Sequence, residues 1–472
     1  PWPEIEKLNQ IVLKTNQLLK PRATLYPKYF ADLETFSTQE IASKLLQITD
    51  SQSLIRSDQW KSGVSNTTPS YPEAILSSNI RSLIKDVETN PSAMNVQSLL
   101  ETSENEFQYI VKYADEIKSQ IHGSEISFVV NRNINYTNIC SFKCNFCAFS
   151  KGKGHDDLRG MPYNISEEEI IRRTKEAIDR GATEVCLQGG IHPKFSGETY
   201  LDIVRAIRSV SDSIHIHAFS PLEIDHGRKT LNISVKDFLI ELKNVGLNSL
   251  PGTAAEILHD DIRAIICPDK LNSNEWVEII KAAHSVGLPT TSTMMFGHVE
   301  NMSHVAHHLI RLLEIQNSTN GLTEFVPLPF VAEEAPIFRR GKSRPGPTFK
   351  ETILVHSVAR ILYNGSINNI QGSWVKMGLP GLKYLLSSGI NDIGGVLMNE
   401  SITRSAGASF GQELNLDDVL TIIDELGLNL KQRNTLYHSL TNDIQDLINL
   451  QSIPLIPIIN EYHQPKKITT TV

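Results

Sequence analysis

From Ile126 onward, short runs rich in β-branched and aromatic residues alternate with longer stretches whose apolar positions recur at helical spacing. That alternation predicts repeated β-α units around a parallel sheet. The first strand is expected over 128–136 and the second over 183–187. Between them Ser166 and Glu169 spell a helix capping box, Ile165 and Ile170 a hydrophobic staple, and Gly181 a stop. Helix and strand pairs follow at 198–210 with 214–219, 234–245 with 248–250, and 274–286 with 290–296. Helices at 303–315, 349–363 and 375–386 then precede strands at 323–328, 367–371 and 392–397. About eight strands, each followed by a helix, in roughly 270 residues predict an α/β fold of the (β/α)8 TIM-type barrel class.

The flanks carry a different pattern. Val96, Leu99 and Leu100, then Phe107, Ile110, Val111, Ala114 and Ile117, fit two helices leading into the barrel. Before them, short amphipathic stretches such as 4–19 alternate with a polar loop over 62–70. The expected division is an N-terminal extension over 1–94, largely helical and loop, a helical lead-in over 95–125, and the barrel over 126–400. Residues 401–472 then supply helical cover, at 416–426 and 432–450, and a disordered tail.

Composition narrows the function classes. A formal net charge of −8 over 472 residues gives no basic field for nucleic acid or anionic lipid. No apolar run reaches the roughly 18 residues of a membrane span, and the opening PWPEIEKLNQ lacks the apolar core of a secretory signal. Five cysteines is an odd count, and three of them stand close together, which argues against a disulfide framework. A cytoplasmic protein is the expectation.

Those three cysteines, Cys140-Ser-Phe-Lys-Cys144-Asn-Phe-Cys147, follow the first strand directly. Active sites of barrels of this class sit at the C-terminal ends of the strands. Three thiolates in a C-x3-C-x2-C pattern suit an iron-sulfur cluster with one iron left open. The competing readings are structural zinc, which usually needs a second cysteine or histidine pair, and plain core packing. Cys186 and Cys267 sit in apolar runs and read as core residues.

Cys140-x3-Cys144-x-Phe146-Cys147, set at the mouth of a barrel, resembles the signature of the radical S-adenosylmethionine (SAM) superfamily. The resemblance implies a radical SAM barrel in which Cys140, Cys144 and Cys147 hold a 4Fe-4S cluster whose open iron chelates SAM. It also implies that Phe146 lies against adenine, and that Gln188, Gly189 and Gly190 stand where the superfamily meets the SAM amino group. Several segments narrow the likeness, among them Leu250-Pro-Gly-Thr-Ala-Ala-Glu256-Ile-Leu258, Thr290-Thr-Ser-Thr-Met-Met-Phe-Gly-His298 and Phe325-Val-Pro-Leu-Pro-Phe330. They resemble the subgroup of FO synthase and two menaquinone-pathway enzymes, nearest its tyrosine 4-hydroxyphenyl transferase family. That family implies L-tyrosine and 5-amino-6-(D-ribitylamino)uracil as substrates. It also implies a reductant such as ferredoxin or flavodoxin, and a separate FO-cyclising radical SAM unit as a partner.

Polar residues at strand ends supply the remaining candidates. His217, Glu256 and Tyr136 are the expected catalytic residues, and Glu223, Ser292 and Thr293 the expected cofactor contacts. His298, Glu300, Gln371 and Trp374 are further strand-end candidates, each with a loop-bracing role as the alternative. Arg404 is a candidate partner for a carboxylate such as that of tyrosine.

Overall fold

The computed structural model of the chain describes residues 4–13, 19–71, 78–151 and 161–458. Strand β1 (Glu125–Val129) is separated from β2 (Asn131–Asn135) by Val130 alone. Strand β2 pairs in parallel with β3 (Glu184–Gln188), and β3 with β4 (His215–Ala218). From β4 the sheet passes through single bridges, His217 to Ser249 and Leu250 to Thr290, into β5 (Thr290–Phe296). Strand β5 pairs with β6 (Leu322–Pro329), and bridges from Phe325 to Ile370 and from Gln371 to Asp392 lead to β7 (Asp392–Gly395). Strand β7 returns to β1, and Met398 bridges Arg132. Every one of these pairings is parallel, so the ring closes with eight positions, the fourth and seventh reduced to bridges.

The helices between strands follow local signals. Asn272 and Glu275 form a reciprocal capping box at the start of Ser273–Ser285, as do Thr348 and Glu351 at Phe349–Leu362. At Glu167–Asp179 only half of the expected box is made. Ser166 accepts from the Glu169 N–H, but the Glu169 carboxylate turns to Arg172 and Arg173 instead. Other elements depart further from expectation. An unanticipated helix, Pro221–Leu231, follows β4, opened by a capping box of Ser220 and Glu223. The expected helix over 432–450 is a helix only at Ile444–Gln451, because Asn429–Gln432 forms a strand, β8, paired in parallel with β1. After β8 the chain turns inward and buries Arg433 and Thr435.

The N-terminal flank is bound to the barrel. Arg56 donates to the carbonyls of Gly346 and Pro347 at 2.8 and 3.1 Å, and the Ser51 N–H donates to Glu351 at 2.7 Å. Helices Ala93–Leu100 and Glu104–His122 form the expected lead-in. The stretch expected over 4–19 is helical at Ile5–Leu13, and residues 14–18, like the tail beyond 458, lie outside the described residues. Among the described residues no helix is long and apolar enough to cross a membrane.

Candidate active site

A cavity of about 420 Å³ opens among the C-terminal ends of the strands, with all three clustered cysteines on its wall. Cys144 is buried, Cys140 and Cys147 are partly buried, and all five cysteines are free thiols. The Ile191 N–H donates to Cys140 Sγ at 3.3 Å, and the Ser150 N–H donates to Cys147 Sγ at 3.4 Å. The loop is held from outside, by Asn145 N–H to the Ile266 carbonyl at 2.7 Å and Lys143 N–H to Asp269 at 2.8 Å. Burial pushes the thiols of Cys144 and Cys147 up, and the ammonium of Lys270 opposes that rise.

Lys270 itself donates to Glu256 at 2.9 Å and lies 5.1 Å from the Phe146 ring centroid. Burial works against its charge, yet Cys144 and Glu256 hold its pKa well above the ordinary lysine value. A fixed positive charge therefore stands beside the thiols. Among the described residues no three His, Cys, Asp or Glu side chains form a group for a single metal ion. The donor chemistry nonetheless fits a cluster, which spans more space than one ion: three free thiols face one cavity, and two of them accept backbone N–H bonds that favour thiolate.

Gly190 brings the chain after β3 against this loop. A Cβ at Gly190 would stand 2.3 Å from the Ile139 carbonyl oxygen and 3.0 Å from Cys140 Cβ. Gly190→Ala is therefore expected to displace the loop and lower reconstituted iron content several-fold, with far-ultraviolet circular dichroism unchanged. Iron analysis of the variant beside the parent checks this.

Behind Gly189 lies Tyr136, which the structure puts outside the cavity and not in it as expected. Its ring fills the space a Gly189 Cβ would need, and its hydroxyl donates to Glu223. Glu223 also accepts from the Ser220 N–H at 2.7 Å and the Gly189 N–H at 3.3 Å. One carboxylate thus ties the ends of β2, β3 and β4 together. Burial raises the Glu223 pKa, and burial together with Glu223 raises that of Tyr136 well above the ordinary phenol.

The inner end of the cavity is polar. Arg433, carried in by the segment after β8, donates to Asp392 at 2.5 and 2.9 Å and to Glu324 at 3.5 Å. Glu184 accepts from Asn131 at 2.9 Å and Thr435 at 2.6 Å. Beside it His217 Nδ1 lies 2.7 Å from Ser249 Oγ, and burial lowers its pKa so that the ring is neutral near pH 7. Burial raises the Glu324 pKa to about 7, with Arg433 opposing and Asp392 adding to the rise.

Cys140, Cys144, Phe146, Cys147, Gln188, Gly189, Gly190, His217, Glu223, Glu256 and Thr293 all line this one cavity. Ser292 does not. Successive side chains on a strand point to opposite faces, so with Thr291, Thr293 and Met295 inward, Ser292 faces the wall and donates to the Glu324 carbonyl at 2.7 Å. His298 and Glu300 also stand apart, in a buried cluster where Arg344 donates to Glu300 at 2.9 Å. Gln371 lines the cavity, whereas Trp374 donates its indole N–H to the Gly395 carbonyl. Arg404 is exposed and turned towards Gln412. Cys186, expected in the core, faces the cavity on the same alternation that turns Glu184 and Gln188 inward. Sequence reasoning missed Lys270, Lys376, Glu324, Glu400 and Arg433, all on the cavity wall. Strand-end position marked Lys376 and alternation marked Glu324, but nothing local marked Arg433.

The chain matches the radical SAM superfamily over residues 134–312 and the CofH/MqnC C-terminal region over residues 319–445. It is 46% identical over 328 residues to the 5-amino-6-(D-ribitylamino)uracil–L-tyrosine 4-hydroxyphenyl transferase of Methanopyrus kandleri, covering 70% of this chain and 88% of that one. It is 45% identical over 328 residues to the FO synthase of Mycobacterium leprae, where it spans only 38% of the longer protein. Among solved structures, methylornithine synthase (PylB) superposes with a TM-score of 0.57 at 16% identity, covering 78% of this chain and 99% of that one. At that identity the likeness concerns the fold.

Proposed function

The chain belongs to the 5-amino-6-(D-ribitylamino)uracil–L-tyrosine 4-hydroxyphenyl transferase family of radical SAM enzymes, and on that premise we propose that it carries out the family's coupling reaction in FO biosynthesis. The net chemistry breaks the Cα–Cβ bond of L-tyrosine, joins the 4-hydroxybenzyl group to C5 of the diaminouracil and leaves 2-iminoacetate, while one SAM is consumed as the oxidant and leaves as methionine and 5′-deoxyadenosine. The observation that carries this reading is the single cavity on which the three cysteines, the Gly189-Gly190 turn and a polar inner end converge.

In this reading Cys140, Cys144 and Cys147 hold a 4Fe-4S cluster, and Gly189 and Gly190 let the backbone approach SAM. Bound together, cluster and SAM would supply the 5′-deoxyadenosyl radical that starts the chemistry. The barrel residues bind and orient. Phe146 offers an aromatic face, Lys270 and Glu256 fix polar groups next to the thiols, and Tyr136 braces the turn through Glu223 without touching a ligand. His217, neutral at the inner end, can accept a proton, becoming a transient imidazolium, and return it. The catalytic unit is the barrel expected over 126–400, extended by the segment through 435 that brings Arg433 and Thr435 onto the cavity wall; residues 1–94 flank it and residues 95–125 lead in. The electron enters from a small reductant such as ferredoxin or flavodoxin, and a separate cyclising unit takes the product onward.

The test is substrate dependence. Reconstituted protein with reductant and SAM is expected to release 5′-deoxyadenosine fastest when tyrosine and the diaminouracil are both present. Stimulation by a futalosine-type nucleoside, with none by tyrosine, would overturn the reading in favour of the menaquinone-pathway relatives.

A further inference from the structure

Three cationic side chains line the cavity, and two of them are already bonded to carboxylates, Lys270 to Glu256 and Arg433 to Asp392. Lys376 Nζ makes no hydrogen bond or ion pair among the described residues. Glu400, on the same wall, is its chemical complement. It is 4% exposed; its Oε1 accepts the Thr403 N–H at 2.7 Å, and its Oε2 has no partner among the described residues. Lys376 follows the seventh strand position and Glu400 the eighth. They influence one another through space, since Glu400 is the foremost charge favouring the Lys376 ammonium, yet they form no ion pair.

An unpaired ammonium and an unpaired carboxylate oxygen in one partly desolvated pocket are costly unless a ligand completes both. The complement of such a pair is a zwitterion with its anion and cation on neighbouring atoms, which is the head of an α-amino acid. SAM has such a head too. In the reading above, however, its amino and carboxylate groups belong to the open iron beside the cysteines. We propose that Lys376 and Glu400 form the subsite for the α-carboxylate and α-ammonium of the amino-acid substrate, a proposal that rests on the function inferred above. Arg404, the carboxylate partner expected from sequence, faces away and leaves this task to Lys376.

The subsite is built rather than incidental. The Lys376 carbonyl accepts the Gly63 N–H at 2.6 Å and the Ser62 hydroxyl at 3.4 Å, and Ser62 Oγ also donates to the Pro329 carbonyl at 3.2 Å. Gly63 has φ of 79°, and a Cβ there would meet Ala408 Cβ at 3.0 Å and Val331 at 3.1 Å. The Ser409 N–H closes the arrangement on the Gly63 carbonyl at 2.9 Å. The N-terminal flank therefore clamps the backbone that carries Lys376 against the loop following Glu400. Burial lowers the Lys376 pKa to about 8, with Glu400 and Glu256 opposing, so the side chain remains mostly cationic at neutral pH.

Equilibrium dialysis of the reconstituted full chain with saturating SAM tests the subsite, using tyrosine, tyramine and 3-(4-hydroxyphenyl)propionate. Tyramine lacks the carboxylate and the propionate lacks the ammonium. Lys376→Met is expected to weaken tyrosine binding about 10- to 100-fold, the worth of a charge-assisted hydrogen bond, while leaving tyramine binding unchanged. Glu400→Gln is expected to weaken tyrosine but not the propionate. Lys376→Gln repeats the first comparison should the methionine variant fail to fold. Equal losses for tyrosine and both analogues, no loss at all, or a loss of SAM binding in the Lys376 variants would overturn the subsite. If the parent protein binds tyrosine and yields coupled product while the variants keep its discrimination, the subsite alone fails. If the parent binds no tyrosine, both the subsite and the functional reading fail.

Discussion

A Cys144→Ser variant, purified and reconstituted without oxygen, is expected to carry little iron and to form no coupled product. Cys144 is the one of the three clustered thiols that is buried, and the Lys270 ammonium opposes the rise of its pKa. A serine hydroxyl in its place ionises far less readily than a thiol and is a poor soft-metal ligand. Two thiols would remain, where the parent is expected to hold about four irons on three. Because the loop is fixed from outside by Asn145 and Lys143, the variant should fold as the parent does. Iron and sulfide analysis, read beside thermal unfolding, checks both halves. A variant that retains parental iron and turnover would remove Cys144 from the cluster.

Arg433→Met should produce the largest loss of stability. Arg433 is 4% exposed and forms a two-pronged pair with Asp392 while reaching Glu324. Removing it leaves two carboxylates facing each other in the barrel floor, a loss of about 3–5 kcal/mol for breaking a buried pair. Urea unfolding of variant and parent measures it. The pH dependence carries a definite sign. Glu324 has a folded pKa of about 7, above the ordinary carboxyl value, so the folded chain binds that proton more tightly than the unfolded one. Its contribution is present in full below the unfolded pKa and is lost as pH rises through about 7. Without Arg433, which lowers that pKa, the decline should extend to higher pH, so the gap between variant and parent widens on the alkaline side.

The same region marks where sequence reasoning runs out. The strand Thr290–Phe296 was legible at both ends, since an unbroken β-favouring run lies between a helix stop at Gly287 and the turn at Gly297. The cysteine loop was legible because its spacing is its chemistry. Strand β8 was not, because a four-residue strand acquires its register from β1, about 300 residues earlier, and no local period announces such a partner. Arg433 and Thr435 were hidden with it. Tyr136 and Ser292 were misplaced for a simpler reason. Position at a strand end names both faces of the strand, and only the neighbours decide which side chain turns inward. Glu223 was found but for an incomplete reason, since Ser220-Pro221-Leu222-Glu223 spells a capping box and the structure gives Glu223 that duty together with its bond to Tyr136. Lys376 and Glu400 are informative only as a pair, and that the Lys376 ammonium and the Glu400 Oε2 have no partner among the described residues is a property of the folded cavity.

The coupling of a tyrosine fragment to a diaminouracil in this cavity is open to direct observation. Its most direct measurement is mass spectrometry of the product formed from ring-labelled tyrosine, 5-amino-6-(D-ribitylamino)uracil, SAM and a reductant under anaerobic conditions. The expected result is a pyrimidine product carrying the whole labelled ring, formed in step with 5′-deoxyadenosine. Release of 5′-deoxyadenosine with the labelled ring absent from every pyrimidine product would contradict it.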